Sequence, residues 1–355
     1  MLSSIKNLSQ PVLFWFKKQW NAVENLSIEK LAGDASNRSY YRIRSSNNRS
    51  VIWMKLNSTD PGIQSEEIVA ASQKQTELPF INIHRHLKNC GIRVPEILLY
   101  DPGSGSLLLQ DLGDVLLAHR VYKASEATQR ELYRQAIDQL VQIQIKASQP
   151  PKVGQCYAFN LLFDEKLFLW EFHHFLEYLI EKGRGISVSN GDRSILEEGF
   201  VAISKRLGSE PRSFVHRDYH SRNLLLENDR LWVIDFQDAL LGPYAYDLAS
   251  LLRDSYVEIS QELVQELVAY YLEKWVQEGG PPREISDFSE TFHLAVFQRN
   301  LKAAGRFHYI DIVKKNPNYL KSVPQALANA RESLKEIEGL DRFRKILTKW
   351  APELA

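Results

Sequence analysis

The sequence predicts an α+β fold of two lobes, a small β-rich lobe followed by a larger, mainly helical lobe with an embedded hairpin. β-Forming residues concentrate between about residues 28 and 110, whereas helical patterns dominate after Gly113. One hairpin-like segment, at about 213–236, interrupts the helical part. The chain has 355 residues, which is enough for two lobes that each bury a core.

The first lobe is predicted from short β-forming runs separated by polar turns. The expected elements are a helical segment over 1–30, strands over 40–43, 51–53, 96–100 and 106–110, and a helix over 62–91. This last helix ends at Gly91 and Pro95 follows, which is the usual order of helix-stop signals. We therefore expect residues from about 28 to 110 to form a small sheet that carries one helix.

The second lobe is predicted from long amphipathic segments. The expected helices cover 125–147, 162–182, 193–207, 258–278, 285–308 and 320–346. Between them, Leu224–Leu226 and Leu231–Ile234 flank the polar run 227–230, a hairpin pattern. We place the boundary between the domains at 110/111, and a cleft between two such lobes is a preferred ligand site.

Composition excludes several classes of protein. Lys+Arg and Asp+Glu each number 44, so the net charge of zero disfavours an electrostatic nucleic-acid binder. No apolar run reaches the 18 residues of a membrane span, and Val12–Phe16 is too short for a signal peptide. Cys90 and Cys156 have no metal-ligand spacing. These features fit a cytoplasmic protein without nucleic-acid or membrane partners, and we expect a monomer.

Three oxygen-bearing side chains at the predicted hairpin indicate chemistry. Asp218 and Asn223 lie five positions apart just before one strand, and Asp235 closes the next strand. A hairpin can bring these three to the same end. Two oxygen ligands suit Mg²⁺ that binds mainly through substrate phosphates, while the remaining carboxylate can accept a hydroxyl proton. Either fragment alone is common by chance, but together and in this order they match the pattern of phosphoryl transfer.

Longer segments around these residues carry a family resemblance. His216–Asn223, Asp235–Ala239 and Gly242–Asp254 resemble the protein-kinase-like superfamily, in particular the aminoglycoside phosphotransferase family. They look most like the bacterial N-acetylmuramate/N-acetylglucosamine anomeric kinases of cell-wall recycling. The resemblance, which covers about residues 28–345, implies a two-lobed protein-kinase-like fold with a nucleotide-binding lobe (1–110) and a catalytic, acceptor-binding lobe (111–355). It also implies ATP, Mg²⁺ and transfer to the anomeric hydroxyl of an amino sugar, which would give a sugar 1-phosphate in peptidoglycan recycling.

Roles for the hairpin residues follow from this resemblance. Asp218 would be the catalytic base, and Asn223 and Asp235 the Mg²⁺ ligands. His216 would brace the loop rather than react. Arg222 would orient Asp218 or meet a phosphate, although a structural ion pair is an equal alternative.

The phosphate-binding residues are predicted from the first lobe. The loop over residues 31–39 has one glycine, so its backbone N–H groups, with Ser36 and Asn37, would cradle phosphates. Lys55 matches the strand lysine that contacts phosphates in protein kinases. The amino-sugar kinases often carry an acid there, and a solvated strand-end lysine is the alternative. Glu77 is the candidate partner of Lys55, although Phe80 occupies the place where a glutamate is expected.

The adenine site is predicted at the hinge between the lobes, and the acceptor site in the second lobe. The hinge residues Gln110, Asp111 and Leu112 would bind adenine through their backbone. Candidates for acceptor binding are Glu171, His220, Asp238 and Arg299. For Glu171, a solvated helix face is the alternative, and it is slightly favoured.

Charge is uneven near the C-terminus. Residues 296–350 hold 12 Lys+Arg against 5 Asp+Glu, a net of +7. This excess would steer an anionic substrate such as a lactyl sugar, or it would be a solvated helical face. His293, Arg299 and Lys302 are the cations that could approach the cleft.

Two alternative functions remain open at this stage. One is another small-molecule hydroxyl kinase of the same family, for an aminoglycoside, choline or a different sugar, since one fold hosts many acceptors. The neutral charge disfavours a polycationic acceptor. The other is a nucleotide-binding pseudokinase that acts as a regulator, which the intact trio Asp218, Asn223 and Asp235 disfavours.

Overall fold

The computed structural model of the chain describes residues 7–21, 25–31, 38–56, 77–151 and 154–355. Its first part is a five-stranded antiparallel sheet in the order β1-β2-β3-β5-β4. The strands are β1 Ser27–Lys30, β2 Arg38–Arg44, β3 Ser50–Leu56, β4 Ile97–Asp101 and β5 Ser106–Gln110, with helices α1 Gln10–Trp20 and α2 Pro79–Asn89. The predicted small sheet with one helix is confirmed, and the sheet gains a fifth strand, β1. Ser36 and Asn37 lie outside the described residues, as does the predicted helix before Glu77.

The two faces of the sheet have different partners. On one face Val51 and Trp53 of β3 pack with Val12 and Phe16 of α1. On the other face Met54 belongs to the main core together with residues of α2, Phe80, Ile83 and Leu87. Side chains alternate between faces along a strand, so neighbouring β3 residues point to opposite sides. We call the side that packs on α2 the inner face.

The remainder of the chain is mainly helical. Its helices are α3 Leu117–Val121, α4 Glu126–Gln142, α5 Glu165–Phe175, α6 Asn190–Ser209, α7 Ala245–Leu252, α8 Gln261–Gln277, α9 Ile285–Ile312, α10 Val323–Lys335 and α11 Asp341–Trp350. α4 and α5 continue as π-helical turns, Ile143–Ala147 and Leu176–Lys182. Among the described residues, no helix combines the length and apolar character needed to cross a membrane.

Most predicted helices of this lobe are confirmed, but the last one is wrong. The helix expected over 320–346 is two helices, α10 and α11, because the chain turns at Gly339 with φ 76°. That backbone conformation is readily available only to glycine. Two short helices, α3 and α7, were not predicted.

Four short strands position the loops that carry the predicted chemistry. β6 Arg212–Val215 pairs with β9 Leu240–Pro243, and β7 Leu224–Glu227 pairs with β8 Arg230–Val233. The predicted β7–β8 hairpin is thus confirmed, and its turn residues Asn228 and Asp229 both have positive φ, as tight two-residue turns require. Because the pairs are nested, the loops 216–223 and 234–239 emerge on the same side.

Helix α9 lies next to these two loops. It packs against α5, α7 and α10. Its approach to α5 is close at Gly305, where an added Cβ would lie 2.6 Å from the Cα of Phe175. The absence of a side chain at Gly305 therefore allows α9 to sit against α5 and presents residues 298–302 to the neighbouring helices.

Candidate active site

A buried carboxylate fixes the start of loop 216–223. Asp247 of α7 accepts hydrogen bonds from the backbone N–H groups of His216 at 2.6 Å and Arg217 at 3.0 Å. It is fully buried, and burial raises the pKa of Asp247 to about 6, although both hydrogen bonds act in the opposite direction. Arg217 has φ 75°, an unfavourable conformation for this residue type, so the loop needs such support.

A second buried carboxylate, Asp254, holds the far end of the same loop. It accepts hydrogen bonds from the backbone N–H of Ser221 at 3.0 Å and from the Ser221 hydroxyl, and its other oxygen accepts the N–H of Tyr256 at 2.9 Å. Asp247 and Asp254 therefore fasten the loop at two places to the region of α7. This matters because geometry near the reacting atoms limits phosphoryl transfer.

His216 joins the two loops, as predicted. Its Nε2 lies 2.9 Å from the carbonyl oxygen of Ile234, and its Nδ1 accepts the backbone N–H of Asp218 at 3.3 Å. This pattern corresponds to a neutral ring with its proton on Nε2. The ring therefore supports the loop and is not free to transfer a proton.

Asn223 and Asp235 are adjacent through the hairpin. The carbonyl oxygen of Asn223 accepts the N–H of Ile234 at 3.0 Å, and its Nδ2 donates to the backbone oxygen of Asp218 at 2.9 Å. The Asn223 amide oxygen is thereby left for a cation. Asp235 follows Ile234 with φ 63°, and its Oδ1 accepts from Gln237 at 3.0 Å. One amide oxygen and one carboxylate fit Mg²⁺, which completes its coordination with phosphate oxygens and water.

The residue after Asp235 connects this loop to the first lobe. The ring of Phe236 packs on Phe80 of α2 with centroids 4.9 Å apart, and on His84 at 6.1 Å. Phe80 thus provides an apolar contact where a glutamate was expected. Glu77 instead forms an ion pair with Arg85, its carboxylate oxygens accepting at 2.9 and 2.5 Å, so the predicted pair with Lys55 does not form.

The placement of Lys55 argues against its predicted contact with phosphate. Lys55 shares a face of β3 with Trp53, and its Nζ lies 5.8 Å from the centroid of that ring. Trp53 packs with α1, on the side of the sheet opposite α2. The inner face at this point of β3 carries Met54, which is fully buried. The alternative interpretation, a strand-end lysine, fits the structure better.

Asp218 lies next to positive charge from α9. Lys302 Nζ is 3.7 Å from its Oδ1. Burial alone would raise the pKa of Asp218, but the charges of Lys302, His220 and Arg299 outweigh burial and hold the pKa well below its usual range. The carboxylate is therefore ionised at neutral pH, which a proton acceptor requires.

Arg299 and Lys302 are one turn apart on α9 and both point toward the loops. Arg299 is buried, and its Nε donates to Ser250 Oγ at 2.5 Å. Its Nη1 is buried and has no hydrogen-bond partner in the part of the chain that the structure describes. His293, by contrast, lies within hydrogen-bond distance of Ser333, 3.3 Å from its hydroxyl. Of the three cations considered from sequence, two therefore reach the site.

Other predicted residues have more specific neighbours than the sequence indicated. Glu171 is fully buried and accepts hydrogen bonds from Arg217 at 2.8 Å and Gln298 at 2.7 Å, so the favoured interpretation as a solvated helix face is wrong. The guanidinium of Arg222 lies 3.8 Å from the centroid of the Tyr256 ring. This is a cation–π contact. The predicted role of Arg222, to orient Asp218 or meet a phosphate, stays a prediction, as does its alternative, a structural ion pair.

The remaining predicted residues of the second lobe lie near the two loops. The ring of His220 contacts Tyr256 edge-on at 5.2 Å. Burial lowers the pKa of His220. Asp238 accepts from Gln237 at 2.9 Å, and burial raises its pKa. Asp238 therefore lies beside the predicted metal ligand Asp235, and its role in acceptor binding stays a prediction.

The predicted hinge is tied to strand β2. Asp111 accepts two hydrogen bonds from Arg42, at 2.7 and 2.9 Å, and Arg42 also donates to Asp114 at 2.7 Å. Gln110 remains in the sheet, with its N–H bonded to the oxygen of Glu96 at 2.9 Å. The side chain of Asp111 thus holds the connector, and adenine binding by the backbone of 110–112 stays a prediction.

Sequence analysis assigned no role to Asp247, Asp254 and Arg38. A signal for Asp247 was present, because it is the only charged residue in the apolar run Ala245–Leu252. Buried acids are rare without partners. Arg38 had no comparable signal, and its contact with Asp235 Oδ1 at 3.7 Å depends on how the lobes meet.

Comparisons with known proteins agree with this geometry. Residues 27–284 match the sequence model of the phosphotransferase enzyme family, whose short name is APH. The chain belongs to this family. Family membership makes the chain a kinase-type phosphotransferase. The roles of Asp218, Asn223 and Asp235 stay predictions.

Two similar relatives are both called N-acetylmuramate/N-acetylglucosamine kinase. The one from Neisseria meningitidis serogroup B is 31% identical over 298 residues, which is 83% of this chain and 82% of the relative. The one from Pseudomonas aeruginosa is 29% identical over 308 residues, 86% of this chain and 83% of the relative. Among solved structures, the ADP-bound aminoglycoside phosphotransferase APH(2'')-Ib has a TM-score of 0.56 at 16% identity and covers 95% of this chain and 99% of its own. This likeness confirms the kinase-like fold.

Proposed function

We propose that the chain transfers the γ-phosphoryl group of ATP to the anomeric hydroxyl of N-acetylmuramate or N-acetylglucosamine, and that it serves peptidoglycan recycling. The observation that carries the proposal is the placement of Asp218, ionised and next to Lys302, on the same hairpin as Asn223 and Asp235. The names of the relatives support the choice of amino sugar.

Asp218 would accept the proton of the attacking hydroxyl. An anomeric hydroxyl is more acidic than an ordinary sugar alcohol, so a carboxylate with a low pKa suffices. Phosphoryl transfer also passes through a loose transition state, in which positioning and charge stabilisation dominate and little proton removal is needed early. The hydrogen bonds that fix the loop, from Asp247 and Asp254, supply that positioning.

Asn223 and Asp235 would hold Mg²⁺ through the amide oxygen and the carboxylate. Bound there, the metal supplies positive charge that neutralises the phosphate oxygens. Gln237 donates to both Asp235 and Asp238 and so keeps the Asp235 carboxylate oriented. The hinge 110–112 would hold adenine, and the loop with Ser36 and Asn37 would cover the phosphates, as in the family.

The charges of α9 favour an anionic acceptor. Arg299 and Lys302 lie on the side of Asp218 that faces α9, and within the described ranges the Nη1 of Arg299 has no hydrogen-bond partner. N-Acetylmuramate carries a lactyl carboxylate that could bind such cations, whereas N-acetylglucosamine does not. An aminoglycoside is polycationic and would be repelled, so this observation disfavours the rival acceptor.

Product analysis tests the proposal directly. The purified protein is incubated with ATP, Mg²⁺ and each sugar, and the product is examined by proton-coupled phosphorus NMR. We expect a phosphate coupled to the anomeric proton, and a product that is acid-labile and lacks a reducing end. A 6-phosphate, or activity with aminoglycosides alone, would refute the anomeric amino-sugar assignment. A protein that binds ATP but transfers no phosphoryl group would favour the pseudokinase.

A further inference from the structure

Arg38 lies on the inner face of the sheet, where the sequence suggested no cation. It is the first residue of β2 and pairs with Leu56 across the β2–β3 ladder. Directly opposed residues share a face, and so do residues two apart on one strand. Arg38 is therefore on the side of Met54, which packs with α2, and Lys55 is on the other side.

The guanidinium of Arg38 reaches the predicted metal ligand. Its Nη1 lies 3.7 Å from Asp235 Oδ1, which is within ion-pair range but too long for a hydrogen bond. Its side chain is only 16% exposed. The same Nη1 is buried and has no hydrogen-bond partner among the described residues. A buried, charged N–H group without an acceptor is costly, so the site calls for another anion.

We propose that Arg38 is a phosphate-binding residue for the nucleotide, and that it provides from β2 the positive charge expected of Lys55 on β3. The inference rests on ATP as the phosphoryl donor. A guanidinium offers a planar fork of N–H groups that matches phosphate oxygens, whereas an ammonium is a point charge. A metal ion held by Asp235 would compete with Arg38 for that carboxylate, and a phosphate oxygen would then be the acceptor for Arg38.

Arg38 could instead act only as a counter-charge for Asp235 and Asp238, which lie near it. A structural counter-charge would stabilise the loop for any ligand, and its loss would weaken binding of adenosine as well as ATP. A phosphate-binding residue would distinguish ligands by their phosphates. This difference decides the design of the test.

The test is calorimetric binding of ATP, ADP and adenosine, with Mg²⁺ and without sugar, so that no turnover is involved. Arg38→Met should weaken ATP and ADP by about 10- to 100-fold, the loss expected for a charge-assisted contact, and should leave adenosine unchanged. Lys55→Met is the matched control, since it removes a cation from the adjacent strand on the opposite face. Its affinities for all three ligands should stay within about twofold, because Lys55 lies on the face of β3 opposite Arg38.

A second variant distinguishes a loss of phosphate binding from misfolding of the Arg38→Met protein. Arg38→Gln retains an N–H donor for Asp235 without the charge, and it should show the same selective loss. Unchanged ATP affinity in both variants, an equal loss of adenosine, or a loss in Lys55→Met as large as in Arg38→Met would each overturn the inference. Failure of the donor assignment itself looks different, because the unmodified protein would then not bind ATP.

Discussion

On each side of the β7–β8 hairpin a carboxylate faces a cation, but the two cations differ. On the proposed nucleotide side, Asp235 faces Arg38 of β2 at 3.7 Å, and on the proposed acceptor side, Asp218 faces Lys302 of α9, also at 3.7 Å. Each carboxylate therefore meets a cation from a different part of the molecule. Arginine on the first side suits bidentate contact with phosphates, and lysine on the second keeps the proposed base, Asp218, ionised.

The difference lies in how each cation is held. Lys302 projects from the long helix α9. On the same helix, Arg299 is hydrogen-bonded to Ser250, and Gly305 packs on α5. Arg38 is the first residue of strand β2 and pairs with Leu56 across the β2–β3 ladder. The acceptor side is therefore built into the helical core, whereas the nucleotide side depends on how the sheet is presented to the hairpin.

The largest expected effect separates chemistry from binding. Asp218→Asn should lower kcat by about 10²–10⁴-fold, the usual contribution of a general base, because the amide cannot accept a proton. ATP affinity should change little, since Asp218 faces α9 rather than Arg38. Steady-state kinetics and calorimetry measure the two quantities.

Asp229→Asn is the matched control, because Asp229 is exposed in the turn of the same hairpin. It makes the same chemical change at the opposite end, and kcat should remain within about twofold of the unmodified protein. If Asp218→Asn keeps near-normal turnover when chemistry limits the rate, Asp218 is not the base.

A smaller expected effect tests whether the cations of α9 bind the negative charge of the acceptor. Lys302→Met should reduce kcat/KM for N-acetylmuramate relative to N-acetylglucosamine by about 10- to 100-fold, the value of a charge-assisted contact. The ratio of the two kcat/KM values is the useful quantity, because a disturbance of Asp218 would lower the turnover of both sugars alike. Lys314→Met, which removes an exposed lysine just after α9, should leave the ratio unchanged. An equal loss of kcat/KM with both sugars would mean that Lys302 acts only through its contact with Asp218.

The sequence predicted the hairpin and its three oxygen-bearing residues because local patterns determine them. Two apolar runs on either side of a polar turn predicted β7 and β8. The spacing of Asp218, Asn223 and Asp235 required no knowledge of distant parts of the chain. The cations were harder to predict. Lys55 matched a motif, but the face on which it lies depends on the register of β3 against α1 and α2. Glu171 was interpreted as solvated because a helical period cannot show that α9 covers α5.

The smallest expected effect concerns Asp247. It tests whether the residues on both sides of the hairpin depend on this one buried carboxylate. In the folded chain its pKa is raised from 3.8 to about 6, with burial as the main cause. Between about pH 4 and 6 the folded state therefore holds a proton that the unfolded state has released, so stability falls as pH rises through this window. A shift of two units corresponds to roughly 3 kcal/mol at most, and we expect about 1–2 kcal/mol because solvent and structure relax.

Asp247→Asn removes this titration. Urea unfolding at several pH values between 4 and 7 should show the unmodified protein losing stability relative to the variant by that amount, while Asp229→Asn follows the unmodified protein above pH 5. The variant also loses one of the two acceptors for the N–H groups of His216 and Arg217. Because this loop carries Asp218 and ends at Asn223, turnover of both sugars should fall by the same factor. A pH-independent difference in stability would show that Asp247 titrates normally, and a loss confined to one sugar would show that the loop supports the two sides separately.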